Sequence, residues 1–144
     1  MNNVPHTAAP PVDDRAVLRL VSADEQATVA TVPGTDYALR FAPSPDPSSL
    51  VESIGRRVTG RIEGRALRLH RASAGGRFIE PADGHPRIVQ GTVAAIDGVA
   101  NRVLLRAVVP MWLTVHEGQS ATAFKVGDML NCYVESGMAF VRCE

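Results

Sequence analysis

RVTGRIEGRALRLHR, residues 57–71, is the stretch whose reading decides the fold. Apolar Val58 and Ile62, then Leu67 and Leu69, alternate with Thr59, Arg61, Arg68 and His70, the period-two signature of strand. Gly64-Arg65 stands between the two runs, and glycine first in a two-residue loop suits a type II′ turn. The stretch is therefore expected to be a hairpin, Val58–Glu63 against Ala66–His70. In that register Arg61 faces Arg68, Thr59 faces His70, and Ile62 and Leu67 point to the core. Like charges directly opposite destabilise a sheet unless diagonal Glu63, another acid or a bound anion compensates them. Arg57, Arg61, Arg65, Arg68 and His70, with Thr59 between them, are thus the candidate anion-facing residues.

The flanking sequence has the same rhythm of short apolar runs broken by Gly, Pro, Asp and Ser. Strands are expected over 16–21, 27–32 and 37–42, with Pro33-Gly34-Thr35-Asp36 as a turn. Pro43, Pro45 and Pro47 end strand pairing. Ser49-Leu50-Val51-Glu52 fits a capping box and Gly55 a C-terminal cap, so one short helix is expected over 48–54. Residues 1–14, with Pro5, Pro10 and Pro11 and no apolar periodicity, read as a disordered tail.

The plan recurs downstream. Residues 27–34 resemble 91–98 at an offset of 64, and Gly55, Val58, Ile62, Glu63 and Leu69 match Gly127, Leu130, Val134, Glu135 and Val141 at an offset of 72. The expectation is an internal duplication: module one over 15–71, a linker over 72–85, and module two over 86–144. Three strands, a short helix and two strands is the element order of an OB-like barrel, so the chain after residue 14 resembles a tandem of OB-like barrels. An SH3-like or intertwined double barrel fits the same order. The fold class is all-β.

The closing stretch is expected to be a second hairpin about Ser136-Gly137. Its register sets Tyr133 opposite Phe140 as a cross-strand aromatic pair, available for base or sugar stacking or for packing on the other module. Leu130, Cys132, Val134, Ala139, Val141 and Cys143 would line the core side. Cys132 and Cys143 would then be diagonal neighbours, roughly 7–8 Å apart. Two cysteines without a C-x-x-C make neither a disulfide framework nor a redox motif, which points to a reducing, cytoplasmic compartment.

Fifteen basic and fifteen acidic side chains in 144 residues exclude a globally basic nucleic-acid binder. By segment the balance is uneven: residues 1–55 carry 3 basic and 7 acidic groups, residues 56–87 carry 8 and 3, and the rest 4 and 5. The positive block centres on 57–71. Its arginines have two possible destinations, an anionic partner or internal pairing with Asp13, Asp14, Asp24 and Glu25. No apolar run approaches the ~20 residues of a membrane-spanning helix, and no basic-plus-apolar leader opens the sequence.

Arg57-Val58-Thr59-Gly60-Arg61, followed by Ser73-Ala74-Gly75-Gly76, resembles PilZ domains, β-barrels that bind cyclic di-GMP through R-x-x-x-R and D/N-x-S-x-x-G. The resemblance implies roles for Arg57, Arg61, Ser73 and Gly76; Arg71 stands where the family has its acid. Gly75-Gly76-Arg77 reads as a link or a phosphate nest without the lysine of a P-loop. His70, His85 and His116 are too scattered to ligate a metal. Trp112, in a largely apolar run, is expected in core or inter-module packing. No nucleophile, acid–base pair or cofactor motif is present, so the expected function is non-enzymatic binding of an anionic ligand or nucleic acid. The alternatives are a protein–protein assembly module and a cyclic-dinucleotide sensor.

Overall fold

The computed structural model describes residues 13–143. They form eleven strands: β1 (Ala16–Ala23), β2 (Thr28–Thr31), β3 (Ala38–Phe41), β4 (Arg57–Arg71), β5 (Phe78–Glu80), β6 (Asp83–Gly84), β7 (Ile88–Asp97), β8 (Arg102–Arg106), β9 (Pro110–Val115), β10 (Met129–Val134) and β11 (Ala139–Arg142). The class is all-β, as the alternation requires. Two short 3-10 segments, Pro47–Ser53 and Ala121–Ala123, are the helical parts among the described residues.

The first helical segment lies where the sequence puts it, but its cap differs. Ser49 Oγ donates to the Asp46 carbonyl, and no side chain caps the amino end. Gly55 follows at φ +85°, a left-handed position that glycine takes without strain.

The decisive stretch is not a hairpin. Residues 57–71 run as one strand of 15 residues. On one side β4 pairs antiparallel with β1 (Ala16 to Gly60) and then parallel with β9 (Glu63 to Trp112, Ala66 to Val115). On the other it pairs with β10 (Leu130 to Arg71, Tyr133 to Arg68) and then β11 (Ala139 to Glu63, Arg142 to Gly60).

Gly64 marks a close approach rather than a turn. A Cβ there would stand 2.8 Å from Met138 Cε and 3.4 Å from Leu113 Cδ2. Glycine in a strand serves either purpose, and here the neighbouring side chains need the space.

The second expected hairpin is also absent. Ser136-Gly137 does turn the chain, with Gly137 at φ +100°. Yet β10 and β11 do not pair with each other; they follow one another along the same edge of β4, interrupted by Glu135–Met138. Cys132 therefore sits beside Leu69, whereas Cys143 donates its amide to Thr59, ten positions away along β4. That is roughly 33 Å of strand, so the two thiols are not neighbours. Cys132 is buried, and desolvation pushes its thiol up to about 12.

Pairing closes five strands into a barrel, β4–β9–β8–β7–β10 and back to β4. The amino-terminal half of β4 joins β1, β2, β3 and β11 in a second five-strand set. Each set borrows a strand from the other half of the chain, so pairing crosses the expected 71/86 boundary in both directions. The expected linker 72–85 holds β5 and β6, which pair with β7 and β3. One hydrophobic cluster runs through both sets, from Leu18, Leu39 and Phe41 to Val103, Met111 and Leu130.

Element starts recur at a spacing of 72 residues: Ala16 and Ile88, Ala38 and Pro110, Arg57 and Met129. The 64-residue match instead relates β2 to β7, which hold different places in their sets. The sets differ at one joint. Where β4 and β9 share four registered pairs, β3 and β11 meet through Ala42 N donating to Met138 O at 2.9 Å and the Phe41–Phe140 ring contact at 5.8 Å.

Candidate functional site

The outer face of β4 carries the predicted basic residues, and a bulge decides which ones share it. Tyr133 pairs with Arg68 but Val134 pairs with Ala66, leaving Leu67 as an extra residue on β4. A single inserted residue reverses side-chain parity. Arg57, Thr59, Arg61, Glu63 and Arg65 therefore point outward before the bulge, and Arg68 and His70 after it, while Leu69 is buried. Leu67, expected in the core, is 51 % exposed.

All five predicted anion-facing residues thus lie on one face of one strand, but not in one place. Arg57 and His70 are thirteen positions apart, roughly 40 Å along a strand. Arg61 does not face Arg68, and Thr59 does not face His70, because both belong to the same strand. The like-charged pair directly opposite across the sheet is instead Arg19 and Arg57, and Arg19 turns its guanidinium to the Gly55 carbonyl at 2.7 Å.

Two of the five arginine and histidine side chains are committed internally. Arg61 Nε donates to both oxygens of Asp14 at 3.0 Å, and Trp112 Nε1 donates to the same carboxylate at 2.8 Å. Asp13–Asp14 are therefore placed by contacts, whereas the remainder of the expected tail, residues 1–12, lies outside the described residues. Trp112 projects from the outward-facing side of β9, bonded to Asp14 and covered by the Arg102 guanidinium at 4.1 Å from its ring centre. Arg65 pairs with Glu135 at 3.4 Å. Among the described residues no ion pair engages Arg57, Arg68 or His70.

The expected aromatic pair is divided. Tyr133 is 49 % exposed on the outer face, whereas Phe140 is 7 % exposed, packed on Phe41 and opposite Ile62. Tyr133 has a different neighbour, Arg68, directly across the β10–β4 ladder, with Ile88 on its other side. The bulge opens a groove of ≈ 310 Å³ beside this ring, lined by Leu67, Glu80, Arg87, Ile88, Tyr133 and Val134. A second hollow shares Leu67, Arg87 and Val134 and continues past His85 to Glu135 and Ser136.

Leu67, Glu80, Arg87 and Ile88 were not singled out by sequence. The β10–β7 pairing, a contact across 45 positions, brings Ile88 to Tyr133, and the local β5–β7 pairing sets Glu80 beside Ile88. The signal present was Arg87 itself, counted in the positive block but separated from Arg68 by the supposed linker.

The R-x-x-x-R and Ser73–Gly76 parts of the PilZ-like signature stand apart, with Arg57 at one end of β4 and Ser73 just beyond the other. Gly75-Gly76 is held as a loop by Gln90, whose Nε2 donates to the Ala74 and Gly76 carbonyls at 3.0 Å. Among the described residues no cluster of three or more His, Cys, Asp or Glu can hold a metal ion, and no helix is long and apolar enough to cross a membrane. Comparison with family models found no match to the chain, and comparison with curated proteins and with solved structures found none either.

Proposed function

We propose that this chain is a non-enzymatic binding protein for an anionic ligand, single-stranded nucleic acid being the class its surface suits best. The observation that carries the reading is Arg68 directly opposite half-exposed Tyr133, with no acid paired to Arg68 among the described residues. Guanidinium beside an exposed ring gives phosphate neutralisation and base stacking at adjacent positions. His70, one outward position further along β4, and Arg87 across the groove extend the same surface. The reading narrows the basic face to Arg68, His70 and Arg87, since Arg61 and Arg65 are internally paired and Arg57 lies at the far end of β4. A cytoplasmic location and an origin by internal duplication accompany this proposal.

Fluorescence anisotropy with a labelled single-stranded oligonucleotide at two salt concentrations tests it. Affinity falls steeply as salt rises, and Arg68→Ala weakens binding and lowers the slope of log K on log salt by about 1. No binding at low salt, or an unchanged affinity in Arg68→Ala, sinks the proposal. A second reading, protein–protein assembly, is favoured by the loosely joined β3–β11 seam and by Val141 beside it, 49 % exposed. Unsatisfied strand edges recruit other chains. Light scattering over a concentration series decides that reading, and a strict monomer at all concentrations removes its self-association form.

A further inference from the structure

Glu80 and Arg87 line the same ≈ 310 Å³ groove as Tyr133, yet no ion pair joins them among the described residues. The groove is small, at the lower end of the ~300–1,000 Å³ typical of small-molecule sites. Its floor is apolar (Leu67, Ile88, Val134), one wall is an aromatic ring, and its remaining walls carry one acid and one base. The acid is held in place by backbone. Glu80 belongs to β5, which pairs with β7 at Ile88, and the Arg87 amide donates to the Glu80 carbonyl at 2.8 Å.

An anionic polymer alone gives no use for an unpaired carboxylate at this point, because phosphate would be repelled by it. A nucleobase does. Its ring can lie on Tyr133 over the apolar floor, its phosphates can meet Arg68 and Arg87, and an exocyclic amino group can donate to Glu80.

We propose that this groove holds one nucleobase of the bound strand and that Glu80 selects bases bearing an exocyclic amino group, with cytosine over thymine as the cleanest comparison. The inference rests on the nucleic-acid reading above and adds its base selectivity. Cytosine and thymine are pyrimidines of similar size that differ at the 4-position, amino donor against carbonyl acceptor. Beside a carboxylate the first makes a charge-assisted hydrogen bond and the second sets oxygen against oxygen.

The test is anisotropy with labelled oligodeoxycytidylate and oligothymidylate of equal length, on the full chain and on Glu80→Gln, Tyr133→Phe and Tyr133→Ala. Glu80 and Tyr133 are exposed enough to be replaced without disturbing the core, and Trp112 emission verifies the fold of each variant. The expected result is a cytidylate preference of about tenfold, the size of one charge-assisted hydrogen bond. Glu80→Gln collapses that preference, because an amide can either donate or accept. Tyr133→Ala weakens both oligomers, whereas Tyr133→Phe keeps the stacking surface and retains both.

Equal affinity for the two oligomers overturns the inference, as does a preference that survives Glu80→Gln. In either case the nucleic-acid reading stands if binding still requires Arg68. Failure of both oligomers to bind overturns the reading and the inference together.

Discussion

Asp14 is held by two donors from different strands, Arg61 of β4 and Trp112 of β9, and its side chain is 19 % exposed. Desolvation pushes its carboxyl up, but the hydrogen bonds from Trp112 and Arg61 and the guanidinium charge outweigh it. The net shift is downward from 3.8. A carboxyl lowered by folding contributes stability that is complete above its unfolded value and is lost as pH falls through its folded one. The Asp14 contacts should therefore persist to below about pH 3.8 and then release the Trp112 indole. Trp112 is the single tryptophan, so its emission reports the event directly. Acid titration should shift the wild-type emission to the red before global unfolding, and Asp14→Ala should show the shifted emission already at pH 7. Identical titrations of the two proteins would mean that the carboxylate does not hold the ring.

At the scale of elements, the bulge at Leu67 governs the site. It alone lets Arg65 and Arg68 share a face while Leu69 enters the core. Deleting Leu67 removes the extra residue and leaves Ala66 inward, Arg68 outward and Leu69 inward in strict alternation, with Tyr133 still opposite Arg68 and Val134 opposite Ala66. The deletion should therefore keep cooperative unfolding, with only the bend of the bulge and the Leu67 lining of the groove lost. Leu67→Ser keeps the residue count at an exposed position and should cost under about 0.5 kcal/mol. Loss of cooperative unfolding in the deletion variant would mean that β4 needs the bend of the bulge to pair with both β9 and β10.

The same strand shows what could be read from sequence. β1, β2, β3 and the Pro47–Ser53 segment were legible because local alternation and proline punctuation decide them. The interior of β4 was not, because Gly64 supplies room for Met138 and Leu113, and a glycine kept for room looks in sequence like a glycine kept for a turn. Arg57, Arg68 and His70 were recovered as outward-facing basic residues from alternation alone. Their neighbours were not, since Tyr133 reaches Arg68 only through the pairing of β10 with β4. Arg61 and Arg65 were found as basic positions, and Asp14 stood among the acids named for internal pairing, whereas Glu135, 70 positions from Arg65, did not.

At the scale of the molecule, a 15-residue strand shared by both strand sets leaves no obvious place for one half to unfold alone. Its first half packs Val58 and Ile62 toward the core beside β1 and β11, and its second half packs Ala66 and Leu69 beside β9 and β10. Loss of β1, β2 and β3 would strip β4 of one neighbour over Arg57–Gly60 and expose the cluster that continues beneath β9. Two independent modules joined by a linker would behave otherwise, with damage to one leaving the other's transition in place. Leu18 of β1 is fully buried, and Trp112 of β9 belongs to the other strand set, so this pair separates the two cases. Leu18→Ala should cost about 2–5 kcal/mol through lost burial and the cavity left behind. In urea, Trp112 emission and far-UV circular dichroism should follow one coincident transition, and Leu18→Ala should move both midpoints down by the same amount. A Trp112 midpoint unmoved by Leu18→Ala would show that the barrel around β9 stands without its neighbour, and that sharing β4 does not couple the two.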